Sequence, residues 1–187
     1  MQLDVASDSE AIQRDPIVAW RAWTLTGRAD GTHLRLRPVA GPRLPWPPLR
    51  PARAACKQAR LHRAPDPQCS CGLHGTRDVE PLRHTKNPTV LGTVALWGRV
   101  IEHELGYRAE FAYPQRLRLV CLLCFWQRDR RAAEPDRVAF IERGRMLPLC
   151  GEHLETAATY GLQTRDSRDA GEIELALRST YAVDLLR

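Results

Sequence analysis

The residues best equipped for chemistry in this chain are its cysteines and a few of its histidines. Cys121-x2-Cys124 is followed by Cys150-x2-His153. Two thiols at this spacing on a turn present both sulfurs to one tetrahedral ion, and a second pair where a helix opens supplies the other two corners from a rigid support. Positions 150 and 153 lie one helical turn apart and face the same way. The start of a helix also favours thiolate charge. A redox CxxC of thioredoxin type needs a strand running into a helix within a βαβ unit, and the sequence around Cys121 lacks that pattern. Structural zinc is the expected occupant.

A second set lies earlier, in "CKQARLHRAPDPQCSCGLHG", with Cys56, His62, Cys69, Cys71 and His74. Three thiols and one imidazole make a Cys3His site. The stiff "APDP" between His62 and Cys69 lets an ion be gripped from two sides of the loop, which favours His62 as fourth ligand; His74 is the alternative. The span from Pro42 to Pro81 holds few apolar residues with which to fold unaided. A structural zinc contributes on the order of 10–16 kcal/mol of apparent binding energy in small peptides, comparable with the whole stability of a domain. Two zinc ions are therefore the expected cofactors. A catalytic zinc keeps one position for water, whereas each set here can fill four. A zinc enzyme with an open first site stands as a further alternative, requiring that neither His62 nor His74 coordinates.

These ligands need elements to hold them. "IVAWRAWTLTGRADGTHLRLRPV" alternates apolar and polar residues about a Gly- and Asp-containing turn, which predicts a hairpin with strands near Val18–Thr26 and His33–Val39. Prolines at 42, 45, 47, 48 and 51 then exclude helix and predict extended backbone. "TVLGTVALWGRVIEHELGYRAEFAYPQRLRLV" reads as two long strands meeting at Leu105-Gly106 and running into Cys121. "RVAFIERGRML" reads as a short hairpin turning at Arg143-Gly144. A helix is expected from Gly151 to Tyr160, stopped by Gly161. The periodicity of Ile173, Ala176, Leu177 and Thr180 or Tyr181 predicts another amphipathic helix near the end.

The order knuckle, hairpin, ligand-bearing helix over residues 120–161 resembles the treble-clef zinc finger. The resemblance implies a nucleic-acid- or protein-binding module with Cys121, Cys124, Cys150 and His153 as ligands. Treble-clef knuckles usually have Pro or Gly around the CxxC, and "CLLCFW" has neither, so packing of Leu122, Phe125 or Trp126 must shape the turn. With its "HRAPDPQCSCG" loop ahead of "LWGRVIEHELGYRAEFAYP", the whole chain also resembles hypothetical proteins of GC-rich bacteria.

Two surfaces are candidates for binding. A turn at Leu105-Gly106 puts Leu96, Gly98, Val100, Ala109, Phe111 and Tyr113 on a core face. It puts Trp97, Arg99, Ile101, His103, Arg108 and Glu110 on the other, so Trp97, Arg99, His103, Arg108 and Glu110 form a candidate binding face. Basic residues from Arg35 to Arg63 run without an intervening acid. With Trp46 as a stacking platform, Arg50, Arg53, Lys57, Arg60 and Arg63, joined by Arg128, Arg130 and Arg131, could track a phosphate backbone.

Composition sets the frame. The chain has 187 residues and a net charge of +6; all its basic residues except Lys57 and Lys86 are arginine, which a GC-rich coding bias explains. The polar start "MQLDVASDSEAIQRD" does not read as a leader peptide, and no apolar run of about 18 residues predicts a membrane span. A cytoplasmic location follows, where six cysteines hold metal more readily than they pair. No nucleophile–base pair, phosphate-cradling loop or acid–base dyad emerges. The expected architecture is α+β: a disordered 1–16, a mainly-β region at 17–119 around the Cys3His loop, and a treble-clef-like region at 120–187 with terminal helices. The expected function is a zinc-stabilised, non-enzymatic binding or adaptor module for a protein partner, with a DNA- or RNA-binding regulator using Arg35–Arg63 as alternative.

Overall fold

The computed structural model describes residues 12–28, 30–40, 44–56, 62–127, 133–141, 145–160 and 166–186. The N-terminal part comprises β1 (Ile12–Thr26), β2 (Arg35–Pro38), β3 (Ala52–Arg53) and β4 (Leu73–Thr76), followed by the long hairpin β5 (Val90–His103) and β6 (Gly106–Leu119). Then come α1 (Leu122–Trp126), β7 (Arg137–Ile141), β8 (Arg145–Leu149), α2 (Gly151–Thr156), β9 (Ser167–Asp169), α3 (Ala170–Tyr181) and β10 (Asp184–Leu185). The fold is mainly β, not α+β: the strands join in one ten-stranded sheet, while the helices have 5, 6 and 12 residues. Apolar segments of the C-terminal part are spent on the β7–β8 hairpin and its partner β9. No helix among the described residues is long and apolar enough to cross a membrane.

Four strands close on one another. β1 pairs with β5, β5 with β6, β6 with β4, and β4 returns to β1 at Trp20↔Thr76. Closure of this kind leaves few unpaired edges. β1 begins at Ile12, ahead of the expected Val18, because a bulge between Gln13 and Ile17 lets the chain keep pairing with β5 as far as Arg99. Residues 12–16 of the stretch expected to be disordered are thus strand, and 1–11 lie outside the described residues. β2 pairs with the end of β1, Thr26 opposite Arg35; in the turn between them Asp30 Oδ1 accepts from Thr32 N at 2.8 Å.

The hairpin turn is Glu104-Leu105, since His103 pairs with Gly106. Gly106 is needed for another reason than the turn: a Cβ there would collide with the carbonyl oxygen of Gly75 in β4. The shift changes the register sum by two, so near the turn the expected facing holds and Ile101 stands opposite Arg108. Beyond it, an extra residue in β5 at Gly98 (φ 78°) makes a bulge. The bulge moves Trp97 onto the other side, where it pairs with Phe111 and stacks at 6.0 Å. Leu96 pairs with Ala112 and both are buried, whereas Phe111 and Tyr113 are only half-buried.

The main core gathers Trp23, Leu36, Val94, Leu96 and Leu117 from the sheet with Ile173, Leu177 and Tyr181 from α3. Trp46, from the proline-rich segment, is 3% exposed and meets Trp23 edge-on at 5.4 Å. A smaller second core consists of Cys121, Leu123, Cys124, Ala139, Leu149, Cys150 and Ala157. Three of those seven are the sulfur donors, leaving little hydrocarbon to hold α1 and α2 against the β7–β8 hairpin.

Candidate metal centres

The second donor set is built by two short helices used in the same way. Cys121 is the N-cap of α1 and Cys150 the N-cap of α2, while Cys124 and His153 stand three residues on, inside the first turn. Phe125 N donates to Cys121 O at 3.0 Å and Leu154 N to Cys150 O at 2.8 Å, so each x2 spacing is fixed by a helical hydrogen bond. This replaces the Pro- or Gly-containing knuckle. Asp136 Oδ2 accepts from Gly151 N at 2.5 Å and anchors the start of α2 to the foot of β7.

All four ligand atoms lie within 4.8 Å of one another, and all four residues are buried. His153 Nδ1 is 3.5 Å from Cys121 Sγ, 3.3 Å from Cys124 Sγ and 3.2 Å from Cys150 Sγ, and the sulfurs of Cys124 and Cys150 are 3.7 Å apart. Zinc bonds of ~2.3 Å to sulfur and ~2.0 Å to nitrogen give a tetrahedron with S···S edges of about 3.8 Å and S···N edges of about 3.6 Å. The observed spacings match those edges and far exceed a disulfide bond. Burial pushes the Cys124 thiol up to about 12 and also raises Cys150. Both shifts favour the protonated thiols of Cys124 and Cys150, and an ion bound there would displace those protons.

The first set comprises Cys56, His62, Cys69 and Cys71, again within 4.8 Å of one another but half-exposed. Cys56 Sγ is 3.7 Å from Cys69 Sγ, and His62 Nε2 is 3.4 Å from Cys71 Sγ, the same two edge lengths. His62 thus offers Nε2 where His153 offers Nδ1. His74 lies outside the set; its Nε2 is 3.1 Å from Ser70 O. Burial raises the Cys71 thiol above its ordinary value.

The loop carrying this set rests on the β5–β6 hairpin. Arg108 Nη1 donates to the carbonyls of Asp66 (3.2 Å), Cys69 and Cys71 (3.1 Å), tying down both cysteines of the CxC. Arg63, beside His62, donates to Glu110, as does Arg53 at 3.4 Å. Arg99 Nη1 lies 3.4 Å from Pro65 O. Burial alone would raise the Glu110 pKa, but the hydrogen bond and charge of Arg63, the Arg99 N–H and the charge of Arg53 hold it below its ordinary 4.5. Of the residues expected on a binding face, Arg99, Arg108 and Glu110 therefore hold the loop, His103 borders it, and Trp97 stands on the opposite side with Phe111.

Among the expected phosphate contacts, Arg53 and Arg63 point to Glu110 and Arg50 is exposed. Lys57, Arg60, Arg128, Arg130 and Arg131 lie outside the described residues, as do the Arg143-Gly144 turn and Gly161. Trp46 is unavailable for stacking: its ring packs in the core under the Arg21 guanidinium, 4.9 Å away. Sequence reasoning missed the anchoring roles of Asp136 and Arg108. For the Arg63–Glu110 anchor one signal was present: Glu110 is the single acid among the residues expected on that strand face.

Comparison with protein-family models, with curated proteins and with solved structures found no match.

Proposed function

We propose that this chain is a zinc-stabilised, non-enzymatic module that engages a protein partner, with one zinc at Cys56, His62, Cys69 and Cys71 and a second at Cys121, Cys124, Cys150 and His153. The observation that carries this reading is that each set brings four ligand atoms within 4.8 Å of one another, close enough for one ion to reach all four. Four protein ligands complete the coordination of zinc and leave no position for a reactive water. The order of α1 knuckle, β7–β8 hairpin and α2 supports a treble-clef-like region at 120–187. The Cys3His loop staples the β-rich part at 17–119. A half-exposed first site and a buried second one make the first the natural place for a partner to sense or influence the metal.

Zinc-edge X-ray absorption on the purified protein tests the reading. It predicts an average shell of three sulfurs and one nitrogen with no exchangeable light ligand. A water-derived oxygen at either ion would favour the zinc-enzyme alternative. The nucleic-acid alternative predicts binding to random duplex or single strands that weakens steeply with salt, and its absence at low salt removes that alternative.

A further inference from the structure

A shallow, open surface depression of about 470 Å³ lies beside the first donor set, and Cys69 forms part of both. Its polar wall comes from Gln68, Ser70, His74, His103 and Arg108; no carboxylate lines it among the described residues. The two imidazoles face each other edge to face with centroids 6.3 Å apart. His103 Nε2 is buried and meets no hydrogen-bond partner among the described residues. Behind His74 lies Arg21, whose Nη1 donates to the His74 carbonyl and which has no carboxylate partner among the described residues.

The charges on this wall do not cancel. Arg21 and Arg108 spend donors on carbonyl oxygens, which satisfy hydrogen bonds without neutralising a guanidinium. Zinc held by three thiolates and an imidazole carries one net negative charge, against two permanent positive ones. The Asp66 carboxylate accepts from Gln68 N at 2.9 Å and is not part of the wall. Burial lowers the pKa of His74, its hydrogen bond to Ser70 O raises it, and the charges of Arg21, Arg108 and His103 lower it further. A group with negative charge and several acceptor oxygens is what such a wall lacks.

We propose that this depression receives an oxyanion, a carboxylate or phosphate group of the partner protein, with Ser70 and His103 as donors, His74 held against Ser70 O as part of the wall, and Arg21 and Arg108 supplying the field. Only the identity of the carrier rests on the binding-module reading. The test is an NMR titration of the zinc-loaded full chain with inorganic phosphate and, separately, acetate at constant ionic strength, with chloride as control. Saturable shifts of His74 and His103 signals are expected, the stronger ligand identifying the oxyanion class. Loss of a charge-assisted hydrogen bond in His103→Gln weakens binding by about tenfold. Ser70→Asp, on an exposed position, places a competing carboxylate at the wall and abolishes it. Shifts that also follow chloride, that do not saturate, or that persist unchanged in Ser70→Asp overturn the proposal. Zinc measured on the same samples separates the two failures: full zinc without anion binding sinks the depression's assignment alone, whereas missing zinc sinks the module reading.

Discussion

Arg63 donates to Oε1 of Glu110 through Nε at 3.0 Å and Nη2 at 2.6 Å, joining the residue next to His62 of the first donor set to a carboxylate that is 2% exposed in the long hairpin. The contact makes the first donor set and the sheet depend on each other. Glu110→Gln keeps the shape and removes the charge. Because Arg63 itself is mostly exposed, the expected loss is modest, about 1–2 kcal/mol in denaturant unfolding.

The same pair gives a pH dependence with a definite sign. The folded pKa of Glu110 lies below its ordinary 4.5, so its contribution is fully present above that value and is lost as pH falls through the folded value. Acid also weakens thiolate–metal bonds in both proteins, so the quantity to follow is the difference in stability between wild type and Glu110→Gln at each pH. It should be constant above pH ~5 and shrink toward zero below the ordinary carboxylate range. A difference that grows on acidification contradicts the assignment.

Arg108 holds the backbone of two cysteines of the first donor set, Cys69 and Cys71. Arg108→Met frees the carbonyls of Asp66, Cys69 and Cys71 and should weaken zinc at that site by about 10–100-fold. The second site, which Arg108 does not touch, should keep its affinity. Competition with a chromogenic chelator, resolved into two phases, measures both.

Much of this was legible in the chain itself. The spacings Cys121-x2-Cys124 and Cys150-x2-His153 identified a donor set because helical geometry fixes which residues converge at x2, whatever lies around them. The choice of His62 over His74 followed from the stiffness of the intervening "APDP". The faces of the hairpin were harder: periodicity gives alternation, but a single inserted residue at Gly98 reverses it, and the one local sign of such a bulge is an isolated glycine inside a strand pattern. Trp46 was misjudged because proline-rich segments usually lie outside; here the segment folds back so that its indole fills the space beside Trp23. In the C-terminal part the β7–β8 strands stand where "RVAFIERGRML" reads as a hairpin, while β9 and β10, of three and two residues, are too short to carry a pattern of their own.

The bulge itself can be tested. Gly98→Ala asks a side-chain-bearing residue to hold φ 78° and brings a Cβ to 2.8 Å from the Phe111 ring. The expected cost is about 1–3 kcal/mol. The reorientation of Arg99 should also disturb the first site ahead of the second.

Tyr181 ties α3 to the sheet. Its hydroxyl donates to Trp46 O at 2.8 Å and accepts from Leu36 N at 3.0 Å in a fully buried position. Tyr181→Phe leaves both backbone groups without that partner, which should cost about 1–3 kcal/mol. Thermal unfolding at fixed zinc concentration reads the effect.

The central claim is that sulfur- and imidazole-bound ions stand in for a hydrophobic interior too small to hold the ends of this fold. Zinc per chain, determined on protein purified without chelator and repeated for Cys69→Ser and Cys150→Ser, tests it most directly. The account predicts two ions in the natural chain and one in each variant, with the altered site's region unfolding first. A metal-free natural chain that still unfolds cooperatively, or full metal retained in Cys150→Ser, would contradict it.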